Sequence, residues 1–374
     1  MFTHAGSARP EAGPFQRLLD QAARRPDAEA LRSKRRGAWQ VRTWSRLAED
    51  ARLAALGWAS LGVRPGDRIT LLGPLSANLI AMLFAADALG ASVDLAAPQA
   101  EASLVGQTRF AFAEGTHELE RLLRYRSRVL EAVVLGDPEI EAGDASSAGL
   151  ALHSADHLAA EGRRRTGQGH ALPDRRDAAG DMARIHREGG IVAMLPRHCF
   201  DAQARIGPDE RVLGDFEPSW FEGLEFLAHQ WPRIAPRLLI PEPGGDAVSD
   251  RREAHATTWL APCHRLAEVI EQFDARVPTS GLGAAAVRSV LRGGHGLLTQ
   301  LSRARIVAGL GLADMRQVHS DAGIPDATRR VLESLGLSLP QRSATSAGVS
   351  AGGPASAIHA TGHGFEGELV GSAS

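Results

Sequence analysis

Four short stretches of the sequence carry residue types that could do chemistry. The first is DMARIHREGGIVAMLPRH, residues 181–198, in which a strand-like run enters Gly189-Gly190 and leaves as a second apolar run. A glycine turn after a strand is where phosphate loops form, because backbone N–H groups there converge on an anion. This turn has neither a hydroxyl residue nor a lysine, so two readings stand: a tight hairpin turn, or residual anion binding through its amides with Arg187 just before them. The second stretch, PTSGLGAAAVRSVL (278–291), contains Thr-Ser-Gly and Gly-x-Gly, but it follows a helical run rather than a strand. Thr279 or Ser280 there reads as a helix N-cap. The third, HSADH, puts His153 and His157 four apart as a helix-borne metal pair needs; with no third ligand nearby, a solvated helix start is the simpler reading. The fourth is Cys263-His264 in LAPCHRL, at a strand-to-helix turn, where a structural role outweighs that of a nucleophile.

Composition narrows the chemistry further. The 374 residues include one lysine, Lys34, and one tyrosine, Tyr125, so a mechanism that needs either type elsewhere is excluded. Two cysteines far apart, Cys199 and Cys263, give neither a disulfide framework nor a zinc spacing, and fit a reducing cytoplasm. A formal net charge of −2 argues against nucleic acid, and no polybasic run argues for a membrane surface. The longest apolar run, LIAMLFAADALGASV (79–93), contains Asp87 and falls short of the roughly 20 residues of a spanning helix, so no transmembrane segment is expected. The opening residues lack the pattern of a secretory leader, and a cytoplasmic location is expected.

The elements that would position these residues alternate. With 44% hydrophobic residues, the chain can bury a large core and divide into two or three subdomains. A first helix starts at residue 14 and closes at Pro26-Asp27. A short strand at 38–42, an N-cap at Thr43, a helix over about 44–60, a turn at 64–67 and the buried strand RITLLG follow. Helix 76–89 and strand ASVDLA continue the pattern, and RFAFAEG, THELERLLRYRSRVL and EAVVLGD make another strand, helix, strand unit. This alternation predicts an α/β fold of largely parallel sheet covered by helices. Residues 166–181, TGQGHALPDRRDAAGD, read as a loop. Residues 343–374 are rich in Ser, Ala and Gly and contribute little core.

Residues 43–98, TWSRLAEDARLAALGWASLGVRPGDRITLLGPLSANLIAMLFAADALGASVDLAAP, resemble the opening of adenylate-forming (AMP-binding) acyl-CoA synthetases. RFAFAEGTHELERLLRYRSRVLEAVVLGDP and LALHSADHLAAEGRRR resemble the next segments of the long-chain fatty acyl-CoA synthetase branch. DERVLGDFEPSWFEGLEFLAHQWPRIAPRLLIPEP, REAHATTWLAPCHRLAEVIEQFDARV and IVAGLGLADMRQVHSDAGIPDATRRVLESLGLSLPQ resemble later ones, all in the family's order, over residues 14–341. The resemblance implies a large N-terminal domain over 14–342, with two similar subdomains at about 14–190 and 191–342. It leaves a flexible start at 1–13 and a remnant tail at 343–374, and the family's C-terminal lid is expected to be absent.

The family's chemistry joins a carboxylic acid to AMP with ATP and Mg2+, then passes the acyl group to CoA. The motifs for it are depleted here. Aligning MLPRHCF (194–200) with the segment after the family's phosphate loop puts HREGGIVA (186–193) in the loop's place, shortened and without Ser, Thr or Lys. Gly189 and Gly190 are then a remnant of the loop. Where a Tyr-Gly-x-Thr-Glu motif should follow GLSLPQ, SATSA (343–347) stands, with Ser343 for the Tyr and Ala347 for the magnesium-binding Glu. FEPSW (216–220) replaces a Leu-Pro-Leu-x-His segment, with Trp220 for the His. Thr361-Gly362-His363 is a relic of the ribose-binding Thr-Gly-Asp on one reading, and EGELVG (366–371) is an older strand of the domain on another. Each charge-assisted hydrogen bond to phosphate contributes about 1.5–3 kcal/mol, and one lost oxyanion donor costs about 10²–10³ in rate. Losing several together makes acid adenylation by this chain improbable.

Three functions follow from the resemblance. The first is a catalytically degenerate relative that binds an acyl chain or acyl-CoA, or serves as the partner subunit of an active synthetase, with an acyl groove near Trp220, Phe221 and Trp259. It would need no cofactor. The second is an active or partner-completed AMP-forming acid–thiol ligase of fatty acid metabolism, using ATP, Mg2+ and CoA. The third is a purely structural interaction protein. An open apolar groove favours the first, and a filled one the third.

Overall fold

The computed structural model describes residues 12–97, 104–105, 107–125, 128–137, 150–172, 180–187, 190–197, 206–276, 280–294, 296–321 and 323–340. Helix α1 (Pro14–Arg24) leads into a hairpin of β1 (Glu29–Arg35) and β2 (Ala38–Thr43), then α2 (Trp44–Ser60). Thr43 caps α2 by accepting a hydrogen bond from the Arg46 N–H at 3.2 Å. Strand β3 (Arg68–Leu72) turns through Gly73 into α3 (Ala77–Leu89). Ser76 caps α3, and Gly90, left-handed at φ +71°, ends it. Then follow β4 (Ser92–Ala96), β5 (Phe110–Ala113), α4 (Thr116–Arg124), β6 (Ala132–Leu135), β7 (Ala151–Ser154), α5 (Ala155–Gly167), β8 (Asp181–Arg187) and β9 (Gly190–Pro196).

Strand β10 (Arg211–Gly214) opens the second half. Helix α6 (Phe221–Glu225) runs through a π-helical turn, Phe226–Gln230, into α7 (Trp231–Ile234), followed by β11 (Arg237–Ile240). The remaining elements are α8 (Ala247–Ala254), β12 (Thr258–Leu260), α9 (Cys263–Arg276), α10 (Gly281–Leu291), α11 (Leu297–Gly309), β13 (Gln317–His319) and α12 (Asp326–Ser334).

The strands form two sheets, of seven in the order β7-β6-β5-β3-β4-β8-β9 and of six in the order β13-β12-β10-β11-β1-β2. Both are parallel except at one edge, where β9 and β2 each fold back as hairpins. The expected α/β class of parallel sheets covered by helices is what the chain adopts. The expected division at 190/191 does not coincide with the sheets. It falls inside the β8–β9 hairpin of the first sheet, while β1 and β2, from the start of the chain, pair beside β11 in the second. Side chains alternate along each strand, and that alternation separates the cores. Val212 and Leu238 face the main core that also holds α1, α2 and α3, whereas their neighbours Leu213 and Leu239 face a second core with Trp259 and Leu266. A third cluster, with Leu72, Ala111, Val133 and Leu135, covers the other face of the first sheet.

Two details lock the first half. A Cβ on Gly57 of α2 or Gly162 of α5 would collide with the backbone of the facing helix, so glycine permits their close approach. Asp87, buried in α3, meets the guanidinium of Arg197 just after β9 and also accepts from the Phe15 N–H at 2.9 Å. The acidic residue that interrupts the apolar run is therefore paired inside the protein.

Candidate functional site

In open parallel sheets ligands bind beyond the carboxyl ends of the strands. The second sheet has a cleft there of about 270 Å³. Its walls come from the residues after β10 (Asp215 to Glu217), the glycine-rich turn after β11 (Pro241 to Gly245), and Asp250 and Arg251 of α8. Arg265 and Glu268 of α9, and Pro74 and Leu75 of the loop after β3, complete it. Five carboxylates, Asp215, Glu217, Glu242, Asp250 and Glu268, face two arginines.

Arg265 gathers the carboxylates of one side: its nitrogens lie 3.2 Å from Glu217, 3.3 Å from Glu268 and 3.8 Å from Asp215. Burial pushes the Asp215 carboxyl up, against the opposing fields of Arg265 and Arg251. On the other side Asp250 accepts from the Glu242 N–H at 3.0 Å and from Lys34 Nζ at 2.8 Å, while Glu242 accepts from the Gly37 N–H at 2.9 Å. The only lysine of the sequence thus ties β1 to α8. Arg251 lies over the Trp259 ring, 5.4 Å from its centroid, and donates to the Leu310 carbonyl at 3.1 Å. Both arginines are committed to protein partners and the cleft keeps an acidic excess, an environment that repels polyphosphates and carboxylates.

The first sheet has its own crevice. Chain order reverses between β3 and β5, and there Glu114 stands against the N-terminus of α3, accepting from the Ser76 hydroxyl at 2.6 Å and from Asn78 Nδ2 at 3.4 Å. Burial pushes its carboxyl up to about 7. Gly73, at φ +134°, leaves room for it: a Cβ there would lie 2.5 Å from the Glu114 Cβ. The reactive group of this crevice is a protected carboxyl held by protein donors.

The stretches singled out in the sequence are dispersed. Gly190 opens β9 at φ +127° and is the cross-strand partner of Arg187, so the hairpin loop is two residues long; Gly189 itself lies outside the described residues. The register shifts at Val192, a one-residue bulge in the edge strand. Trp220 and Phe221 start α6 and pack on the main core, Trp220 with its ring 5.4 Å from that of Phe216. Trp259 is fully buried in the second core. None of these three lines the cleft. Their large apolar faces are used for packing between layers. Thr361, Ser343, Ala347, Thr279, Cys199 and the whole of 343–374 lie outside the described residues.

The other candidates have structural roles. Ser280 takes the N-cap position of α10 without a side-chain capping bond. His153 and His157 stack with centroids 5.2 Å apart, and burial lowers the His153 pKa. No group of three metal-binding side chains occurs among the described residues. Cys263 opens α9, where its N–H donates to Asp321 at 3.1 Å; burial and the Asp321 charge raise its thiol, the opposite of what a nucleophile needs. Sequence reasoning missed Asp215, Arg265 and Glu114. The signal for the two acids was positional: each follows directly on a short apolar strand, in VLGD and FAFAE.

Comparison with known proteins supports this architecture. Residues 18–105 match the model of the AMP-binding enzyme family. The A domain of carboxylic acid reductase from Segniliparus rugosus, solved with AMP and a carboxylic acid, superposes with a TM-score of 0.67 at 15% identity, over 88% of this chain and 59% of that one. The N-terminal domain of FACL13 from Mycobacterium tuberculosis gives 0.57 at 14% identity over 88% and 75%. VinN, solved with L-aspartate, gives 0.59 at 15% over 89% and 76%. No curated protein sequence matches the chain. This is an adenylation-domain fold. No helix among the described residues is long and apolar enough to cross a membrane.

Proposed function

We propose that the chain is a non-catalytic member of the adenylate-forming group, whose fold serves as a binding or partner subunit. The observation that carries this reading is the Arg187–Gly190 cross-strand pair, which leaves only two residues to the loop where a triphosphate would be wrapped. A phosphate loop works by converging several backbone N–H groups on one anion, and a two-residue turn presents too few. The acidic cleft points the same way, since it opposes both a nucleotide and a fatty carboxylate. The closed packing of Trp220 and Trp259 favours a partner role over storage of an acyl chain. A cytoplasmic site of action accords with this role.

The reading is tested by thermal unfolding with and without Mg-ATP, a fatty acid and an acyl-CoA, since a ligand of the native state stabilises it by RT ln(1 + [L]/Kd). Millimolar Mg-ATP is expected to leave the melting temperature unchanged, and acid-dependent ATP–pyrophosphate exchange to stay at background. Exchange above background by the purified chain would establish the ligase alternative, with ATP, Mg2+ and CoA as its cofactors. A melting temperature raised by an acyl-CoA alone would assign the subunit an acyl ligand.

A further inference from the structure

Helices α10 and α11 form an outer layer over the second core. They bury Val287, Val290 and Thr299 and hold each other through the Ser289 and Thr299 hydroxyls at 2.9 Å. Their outward side is apolar to an unusual degree: Leu282 is 91% exposed, Leu298 80%, Leu297 76% and Leu301 61%. Elsewhere among the described residues the large hydrophobics left exposed are scattered or lie along β9; here four outward leucines, Leu282 on α10 and Leu297, Leu298 and Leu301 on α11, belong to one helical pair. The charges of the segment are equally one-sided. From residue 280 to residue 313 the only charged side chains are Arg288, Arg292, Arg303 and Arg305, with no Asp or Glu. Arg288, Arg292 and Arg305 are exposed, and Arg305 follows Leu301 by four positions, on the same face of α11.

We propose that this helical pair docks on an anionic lipid surface, with its leucines in the headgroup–acyl boundary and its arginines among the lipid phosphates. A helix such as α11, with Leu297, Leu298 and Leu301 turned away from its buried Thr299 and only cationic charge, binds in the plane of the interface, where burial of the apolar face and attraction to anionic lipid act together. Helix α10 adds Leu282 and two arginines at its edge. Neither helix crosses a membrane, since α10 has 11 residues and α11 has 13. The net charge of −2 for the whole chain conceals this segment, because the acids that balance its arginines lie elsewhere. A second copy of the chain fits less well, because two such faces would bring three exposed arginines against three with no carboxylate of the segment between them. This inference is independent of whether the chain is catalytic.

The test is co-sedimentation of the full chain with vesicles of phosphatidylcholine alone and of phosphatidylcholine mixed with phosphatidylglycerol. Binding is expected to the mixed vesicles, weaker by at least about tenfold on phosphatidylcholine alone and in high salt. The triple substitution Leu282→Ser, Leu298→Ser, Leu301→Ser should cut binding by a similar factor with an unchanged circular dichroism melt, as its targets are exposed. Should that variant fail to fold, Arg288→Gln with Arg305→Gln decides, through the same loss on mixed vesicles. No binding to mixed vesicles, or binding that neither variant weakens, overturns the proposal. So does sedimentation of the chain as a dimer that the leucine variant dissociates, without vesicle binding.

Discussion

The Glu114 carboxyl is raised to about 7 by burial, against the Ser76 hydroxyl and the more distant Arg35 and Arg42 guanidiniums that favour its charge. In the unfolded chain it titrates at the ordinary 4.5 of a glutamate. Between those two values the folded protein holds a proton that the unfolded chain has released, so stability contributed by the neutral acid is complete below pH 4.5 and lost as pH rises through about 7. A displacement of that size corresponds to about 3 kcal/mol. Urea unfolding of the native protein should therefore show stability falling from about pH 5 to about pH 8. Glu114→Gln, which keeps the shape and the acceptor oxygen, should flatten that slope and be the more stable of the two at about pH 8. A slope identical in both proteins would mean that Glu114 ionises without cost.

The β8–β9 hairpin makes its case at the scale of an element. Gly190 sits at φ +127°, a region that side chains avoid, with nothing within 4 Å of the place a Cβ would take. Gly190→Val should therefore destabilise by backbone strain alone, by about 1–2 kcal/mol, while Gly190→Ala costs less; chemical denaturation of both checks this. A loss as large as that of a buried core substitution would mean that the turn packs against something further. The hairpin was legible in the sequence because strand-like runs flank a glycine pair and few other turns fit. Helices α1, α2 and α3 were legible for similar reasons: N-caps at Thr43 and Ser76, Pro14 at the start of α1, Gly90 at the end of α3. Strand β1 was not. EALRSKR carries four charges and no clean alternation, and it is a strand because β2 and β11 flank it, a tertiary fact. The cleft was hidden for the same reason, since Asp215, Asp250 and Arg265 lie far apart in the chain and become neighbours only when β10, α8 and α9 pack. The aromatics near residue 220 were conspicuous by type, and type alone did not distinguish a ligand wall from a core.

For the molecule as a whole, the arrangement of strands orders events in time. Leu31 of β1 pairs with Leu238 of β11, so the first strand of the chain waits for a partner roughly 200 residues downstream. All of β3 to β9 emerges before that partner exists, and these strands form a complete sheet by themselves. In pulse-labelled refolding, amides of β3, β4 and β5 should become protected before those of β1, and simultaneous protection would contradict this order. On a ribosome adding about 5–20 residues per second, the basic segment 29–35, already paired with β2 on one edge, would wait about 10–40 s for β11 on the other. During that interval Lys34 has no Asp250 to hold it, and the nascent chain displays a cationic β-strand that the finished protein conceals, a transient handle for any chaperone that reads such segments.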